Sequence, residues 1–311
     1  MKTMPCAKTS PVYLALSKGD ELAHRAGRAY SAMKACRLCP RDCGVNRLKG
    51  ELGYCRIGKR AGVASANLHH GEEPPISGTR GSGTIFFTGC NMSCRFCQNW
   101  PISHLRHGKA VTPERLAQMM LDLKKRGAHN INLVTPSHVV PQFLAGLTIA
   151  AKDGLDLPIV YNSNGYEGLD ALSLLDGVID IYMPDIKYST REAAQRCSLA
   201  PDYWEHVRPA LKEMYRQVGA LAMDDEGIGV RGLLIRHLVL PGGLAGSEKV
   251  FEFVATELSP DVPVNLMSQY FPAHDAVDDP LLGRGISKEE FASAEAALHQ
   301  YNLTNGWIQH M

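Results

Sequence analysis

A chain of 311 residues can bury one large core with a smaller one beside it. With 45% apolar and 21% charged residues it has the balance of a soluble globular protein, and a formal charge of +1 gives no electrostatic argument for nucleic acid or an anionic membrane surface, so neither is expected as a partner. No run of about 18 apolar residues occurs, so no membrane span is expected. The opening Met1-Lys2-Thr3-Met4-Pro5-Cys6 lacks the apolar core of a signal peptide, which makes the cytoplasm the expected location.

In chain order, residues 10–35 carry apolar positions at helical spacing and read as a packing helix. Cys36, Cys39, Cys43 and Cys55 follow, in a Cys-x2-Cys-x3-Cys-x11-Cys pattern. The residues between them, Arg41, Asp42, Asn46, Arg47, Lys49 and Glu51, cannot build an apolar core, so a metal is expected to supply the stability. Four thiolates suit structural zinc or an auxiliary Fe–S cluster equally well. Val63 to Leu68 reads as a strand, and His69-His70-Gly71-Glu72-Glu73-Pro74-Pro75 as a turn that either lines a site or links two elements.

The stretch from Thr84 to Trp100 is the most informative. Thr84-Ile85-Phe86-Phe87 reads as a buried strand, and after Gly89 come Cys90, Cys94 and Cys97. Three thiolates on one loop can hold a 4Fe–4S cluster and leave one iron free for a substrate. Seven of the nine cysteines lie between residues 36 and 97, which favours metal chemistry over disulfides; Cys6 and Cys197 read as free thiols.

Strands and helices then alternate. A helix capped by Thr112 ends at Gly127, and further helices are expected near 140–152, 168–176, 202–219, 246–257 and 287–301. Strands are expected at Asn130–Val134, Pro158–Asn162, Val178–Met183, Gly232–Leu240 and Val262–Met267. With the strand before Cys90 this gives six βα units, hence an α/β fold with a parallel sheet and right-handed crossovers. Periodicity does not separate an open sheet from a barrel. In both, polar residues at the strand C-terminal ends share one face. The expected division is a helical segment over 1–35, a Cys-rich metal-binding module and linker over 36–82, the main α/β unit over 83–273, and a C-terminal helix and tail over 274–311.

The cysteine loop resembles that of the radical S-adenosylmethionine (SAM) enzymes. Cys90, Cys94 and Cys97 match the ligands of the 4Fe–4S cluster, and Phe96 matches the aromatic position beside the adenine. The resemblance implies a partial six-stranded parallel (β/α)6 barrel. It also implies reductive cleavage of SAM to a 5′-deoxyadenosyl radical that abstracts a hydrogen atom, with a flavodoxin- or ferredoxin-type electron donor. Nearly the whole chain is similar to uncharacterised homologues of pyruvate formate-lyase activating enzyme. The shared motifs are Cys39-Pro40-Arg41-Asp42-Cys43, Glu72-Glu73-Pro74-Pro75, Cys97-Gln98-Asn99, Asn162-Ser163-Asn164-Gly165, Pro184-Asp185-Ile186-Lys187, Arg236-His237 and Gln269-Tyr270. This likeness implies a glycyl-radical enzyme as protein substrate and SAM contacts from Asn164, Asp185, Lys187 and Arg236.

The chain departs from the activases where they carry Gly-Gly-Glu-Pro, the SAM amine contact; here Thr135-Pro136-Ser137-His138 stands instead. Ser137 is the candidate replacement contact and His138 a candidate catalytic proton donor. The extra cysteines also lie before the main unit instead of in an insert after the cluster loop. Two other readings stay open: radical chemistry on a small molecule, a peptide or RNA, and a zinc- or Fe–S-binding or electron-transfer protein without SAM chemistry.

Overall fold

A computed structural model of the protein describes residues 10–309; Cys6 lies outside them. The expected first helix is broken. Helix α1 (Tyr13–Ser17) ends before Asp20, whose φ of 56° is left-handed, and α2 (Glu21–Ala32) restarts after it. Tyr13 Oη donates to the Leu155 carbonyl at 3.1 Å, and the Val12 amide donates to Asp180 Oδ1 at 2.9 Å, so this segment is fastened to the main unit.

Strand β1 (Ala61–His69) is followed by the short helix α3 (Pro74–Ser77) and by β2 (Ser82–Phe87). A four-residue helix α4 (Trp100–Ser103), a strand β3 (Lys109–Val111), and the Thr112-capped, Pro113-initiated helix α5 (Pro113–Lys125) come next. The alternation continues through β4 (Ile131–Val134), α6 (Val140–Lys152), β5 (Ile159–Ser163), α7 (Leu169–Leu175), β6 (Ile181–Pro184), α8 (Arg191–Ser198) and α9 (Tyr203–Val218). After a two-residue strand β7 (Ala222–Met223) come β8 (Gly229–Leu233), β9 (Ile235–Leu238), α10 (Ser247–Phe253), β10 (Val264–Met267), α11 (Lys288–Gln300) and β11 (Trp307–Ile308).

One sheet has the order β3-β1-β2-β4-β5-β6-β8-β7 and a second the order β11-β10-β9. The pairs from β2 through β8 and from β9 through β11 are parallel. Parallel strands with helical crossovers are buried on both faces, which explains their continuous apolar runs such as Ile159-Val160-Tyr161. The expected fifth strand is divided in two. At Gly232 φ is +132°, and a Cβ there would stand 2.3 Å from Leu221 Cα, so the strand bends under β7. Across the break, Leu234 N donates to the Tyr182 carbonyl at 2.9 Å and Asp185 bridges to Arg236, so β6 carries the pairing from one sheet to the next.

Among the described residues no pairing joins β10 or β11 back to β2, so the parallel-rich sheet is not a closed barrel. Strands β1 and β2 were expected, but their antiparallel pairing and the outer strand β3 were not; the register sets His69 opposite Ser82, so residues 69–73 follow at the N-terminal end of β2. The segment after residue 274 is not a loose tail, because β11 pairs with β10. No helix among the described residues is long and apolar enough to cross a membrane.

Candidate active site

Strand β2 delivers the chain to Gly89, whose φ of +77° turns it away from the sheet. The cysteine loop opens at the strand's C-terminal end. Cys94 is buried, while Cys90 and Cys97 are partly exposed. Each sulfur meets a donor from another part of the loop or a neighbouring element. Ser198 Oγ reaches Cys94 at 3.0 Å, Ser103 Oγ reaches Cys97 at 3.2 Å, and Asn164 Nδ2 and Met92 N reach Cys90 at 3.6 and 3.3 Å. Burial pushes the Cys90 thiol up to about 12, with the neighbouring Cys94 adding to the shift. Metal coordination reverses that preference by deprotonating the thiol, and donors aimed at thiolate sulfur are what tune such a centre.

Three cysteine sulfurs on one loop, each reached by a hydrogen-bond donor, are a donor set that fits a cluster.

Cys94, Phe96 and Cys97 line a cavity of about 370 Å³ whose far wall is formed by β5, β6 and β9. Asn162, Asp185, Lys187 and Arg236 meet there. Lys187 Nζ is 2.6 Å from Asp185 Oδ2 and Arg236 Nε is 2.9 Å from Asp185 Oδ1. Arg236 Nη2 donates to Asn162 Oδ1 at 2.8 Å, and Nη1 stands 3.6 Å from Glu72 Oε2. Burial alone would raise the Asp185 carboxyl, but Arg236 and Lys187 outweigh it and hold it below the usual range. Glu72 is raised, because desolvation exceeds what Arg236 gives back. Phe96 packs edge-on against Tyr270, with ring centres 5.6 Å apart. Three larger surface clefts, one beside β3 and α5, one beside α10 and α11 and one beside α3 and β7, contain no cysteine.

Three of the expected residues do not line this cavity. Ser137 does not face the cavity; it is fully buried and donates to Glu167, which also accepts from Tyr161 Oη at 3.1 Å. His138 also turns inward, with Nε2 donating to the Thr88 carbonyl at 2.8 Å. Desolvation lowers its imidazole to about 4. The cause is Thr135, whose φ of 59° keeps a turn of the kind glycine favours and sends the next residues into the core. Asn164 supports the cysteine loop instead of lining the cavity: its Nδ2 donates to Asn91 Oδ1 at 2.7 Å. Glu72, from the turn expected either to line a site or to link two elements, lines the cavity, as do Asn162 and Gln269, to which the sequence assigned no role.

His237, next to Arg236 on β9, points to the opposite face and is fully buried. Its Nδ1 donates to the Ile186 carbonyl at 2.7 Å, and Nε2 accepts from Ser247 Oγ at 2.9 Å. Burial lowers it from 6.5 to about 4. The folded state thus binds this proton later than the unfolded state, and stability from His237 falls as pH drops from 6.5 toward 4. Relative to His237→Gln, the wild type should lose about 3 kcal/mol between pH 7 and pH 4 in urea titrations.

Fold and site together define an α/β protein with three cysteines on one loop at its strand ends, beside a cavity of alternating charge. Residues 84–221 match the family described as the Radical SAM superfamily. The chain is 33% identical over 283 residues to Uncharacterized protein MJ0674 of Methanocaldococcus jannaschii, covering 88% of this chain and 77% of the relative. It is 24% identical over 268 residues to MJ0808 of the same organism, covering 79% and 73%. Among solved structures, native anSMEcpe with bound AdoMet is similar at 11% identity and a TM-score of 0.48, over 71% of this chain and 61% of that one. Methylornithine synthase (PylB) is similar at 13% identity and a TM-score of 0.47, over 95% and 72%. The chain belongs to the radical SAM superfamily.

Proposed function

We propose that Cys90, Cys94 and Cys97 hold the 4Fe–4S cluster that the family implies, and that the adjoining cavity holds SAM. Bound together, these groups supply a hydrogen-abstracting 5′-deoxyadenosyl radical. The observation that carries the reading is the charge pattern beside Cys94 and Cys97. Two carboxylates, Glu72 and Asp185, alternate with two cations, Lys187 and Arg236. A zwitterionic amino-acid end matches such a wall, its carboxylate facing the cations and its amine facing the carboxylates. Glu72 thereby takes the part of the absent Gly-Gly-Glu-Pro carboxylate, and Phe96 supplies an apolar face for a base.

The target is proposed to be a backbone glycine of a glycyl-radical enzyme, with a flavodoxin- or ferredoxin-type protein as electron donor. Support for this finer reading is the likeness of the chain's motifs to the activating-enzyme homologues. Anaerobic protein, SAM and a reductant should give a candidate glycyl-radical enzyme an organic radical signal in electron paramagnetic resonance. Consumption of a small molecule or peptide, with no such signal, would move the target to that class. Calorimetric titration should show SAM binding to the reconstituted protein; its absence would return the chain to a metal-binding or electron-transfer role.

A further inference from the structure

We propose that Cys36, Cys39, Cys43 and Cys55 hold a second iron–sulfur cluster, seated directly behind the radical-cluster loop. The four side chains line one enclosed cavity, which they share with Arg47, Asn91 and His138. Arg47 is 1% exposed, yet no carboxylate stands within ion-pair distance of it among the described residues. Its Nη1 points to Cys36 Sγ at 3.7 Å, Nη2 donates to the Gly58 carbonyl at 3.1 Å, and Nε has no partner. A buried guanidinium without a counter-ion is strongly disfavoured, so this one calls for an anionic centre. Four thiolates around a metal core supply that charge.

A second, independent atom makes the same demand. His138 is buried, its Nε2 is used by Thr88, and its Nδ1 has no partner in the protein. Unpaired buried polar atoms of this kind mark a site whose occupant satisfies them.

Charge does not separate zinc from a cluster, because both take four thiolates. The metal analysis below separates them.

The module is also clamped to that loop. Arg41 Nε donates to the Asn91 carbonyl at 2.7 Å and stacks its guanidinium 3.9 Å from the Tyr54 ring centre. Tyr54 Oη donates to the Met92 carbonyl at 3.3 Å. Asn91 therefore lies between the two cysteine sets, lining the cavity of the first and following Cys90 of the second in sequence.

This inference rests on metal binding by the N-terminal thiolates and not on SAM cleavage, so it is tested without the radical cluster. The Cys90→Ala/Cys94→Ala/Cys97→Ala variant, reconstituted anaerobically with ferrous iron and sulfide, should retain about four irons and four sulfides with the Mössbauer signature of a cluster. In the otherwise native chain, Cys36→Ala/Cys55→Ala should halve the wild-type iron from about eight to about four, which covers the case of a triple variant that fails to fold. Arg47→Gln should retain the iron and shift the second cluster to a lower reduction potential, because a positive neighbour is lost. Stoichiometric zinc in place of iron, iron content unchanged by Cys36→Ala/Cys55→Ala, or a potential indifferent to Arg47→Gln would each overturn the proposal.

Discussion

Arg236→Met is expected to cost about 3–5 kcal/mol of folding stability and to abolish measurable SAM binding. The guanidinium is the hub of the cavity wall, with Asp185, Asn162 and Glu72 all directed at it. Its removal leaves Glu72 buried without a cation and Asp185 with Lys187 alone. Adding Asp185→Asn should recover part of the lost stability but none of the binding, since the stability penalty comes from an unpaired charge and the binding from the cation. Urea titration and calorimetry on the single and double variants measure the two effects separately. The Asp185 carboxyl is held below its usual range in the folded state, so its stabilisation is present above an unfolded pKa of about 4 and fades as pH falls below it. In Arg236→Met that pH dependence should shrink, because the folded-state carboxyl loses the cation that lowers it and moves up toward its unfolded value.

Gly89→Ala is the second large effect. The residue sits at φ +77°, and a Cβ would stand 2.6 Å from the Cys55 carbonyl oxygen and 2.9 Å from Ile57 Cγ1. Left-handed strain and forced separation of two backbones together should cost about 2–4 kcal/mol and loosen the contact between the two cysteine sets. Gly44 is the control: its φ is +65° with open space around it, so Gly44→Ala should cost only about 1–2 kcal/mol. Thermal unfolding and iron content, compared between the two variants, separate the clash from the strain.

The parts of the site that sequence made legible are those fixed by local pattern. Cys90, Cys94 and Cys97 follow a buried strand, and Asp185, Lys187 and Arg236 stand at the ends of strands whose apolar runs are unambiguous. Parallel neighbours share a C-terminal face, so Asp185 and Arg236 had to meet once β6 and β9 paired. What stayed hidden depended on backbone geometry or distant pairing. Glu72 reaches the cavity from the N-terminal end of β2, where β1 pairs antiparallel with it outside the βα repeat. Asn162 faces the cavity and Asn164 does not, because β5 ends at Ser163 and its two-residue alternation stops there. Ser137 and His138 are polar residues after a strand, the usual mark of a site, yet the left-handed turn at Thr135 carries them into the interior. Polar side chains in that position read as functional until their hydrogen-bond partners are known. Here those partners are Glu167 and the Thr88 carbonyl.

The most direct test of the radical chemistry is the formation of 5′-deoxyadenosine from SAM by protein reconstituted anaerobically with iron and sulfide. Wild type should form it only with a reductant present. Cys94→Ala, with its fold verified by circular dichroism, should form none. Undiminished 5′-deoxyadenosine from Cys94→Ala would contradict the assignment of the Cys90, Cys94 and Cys97 loop as the cluster site.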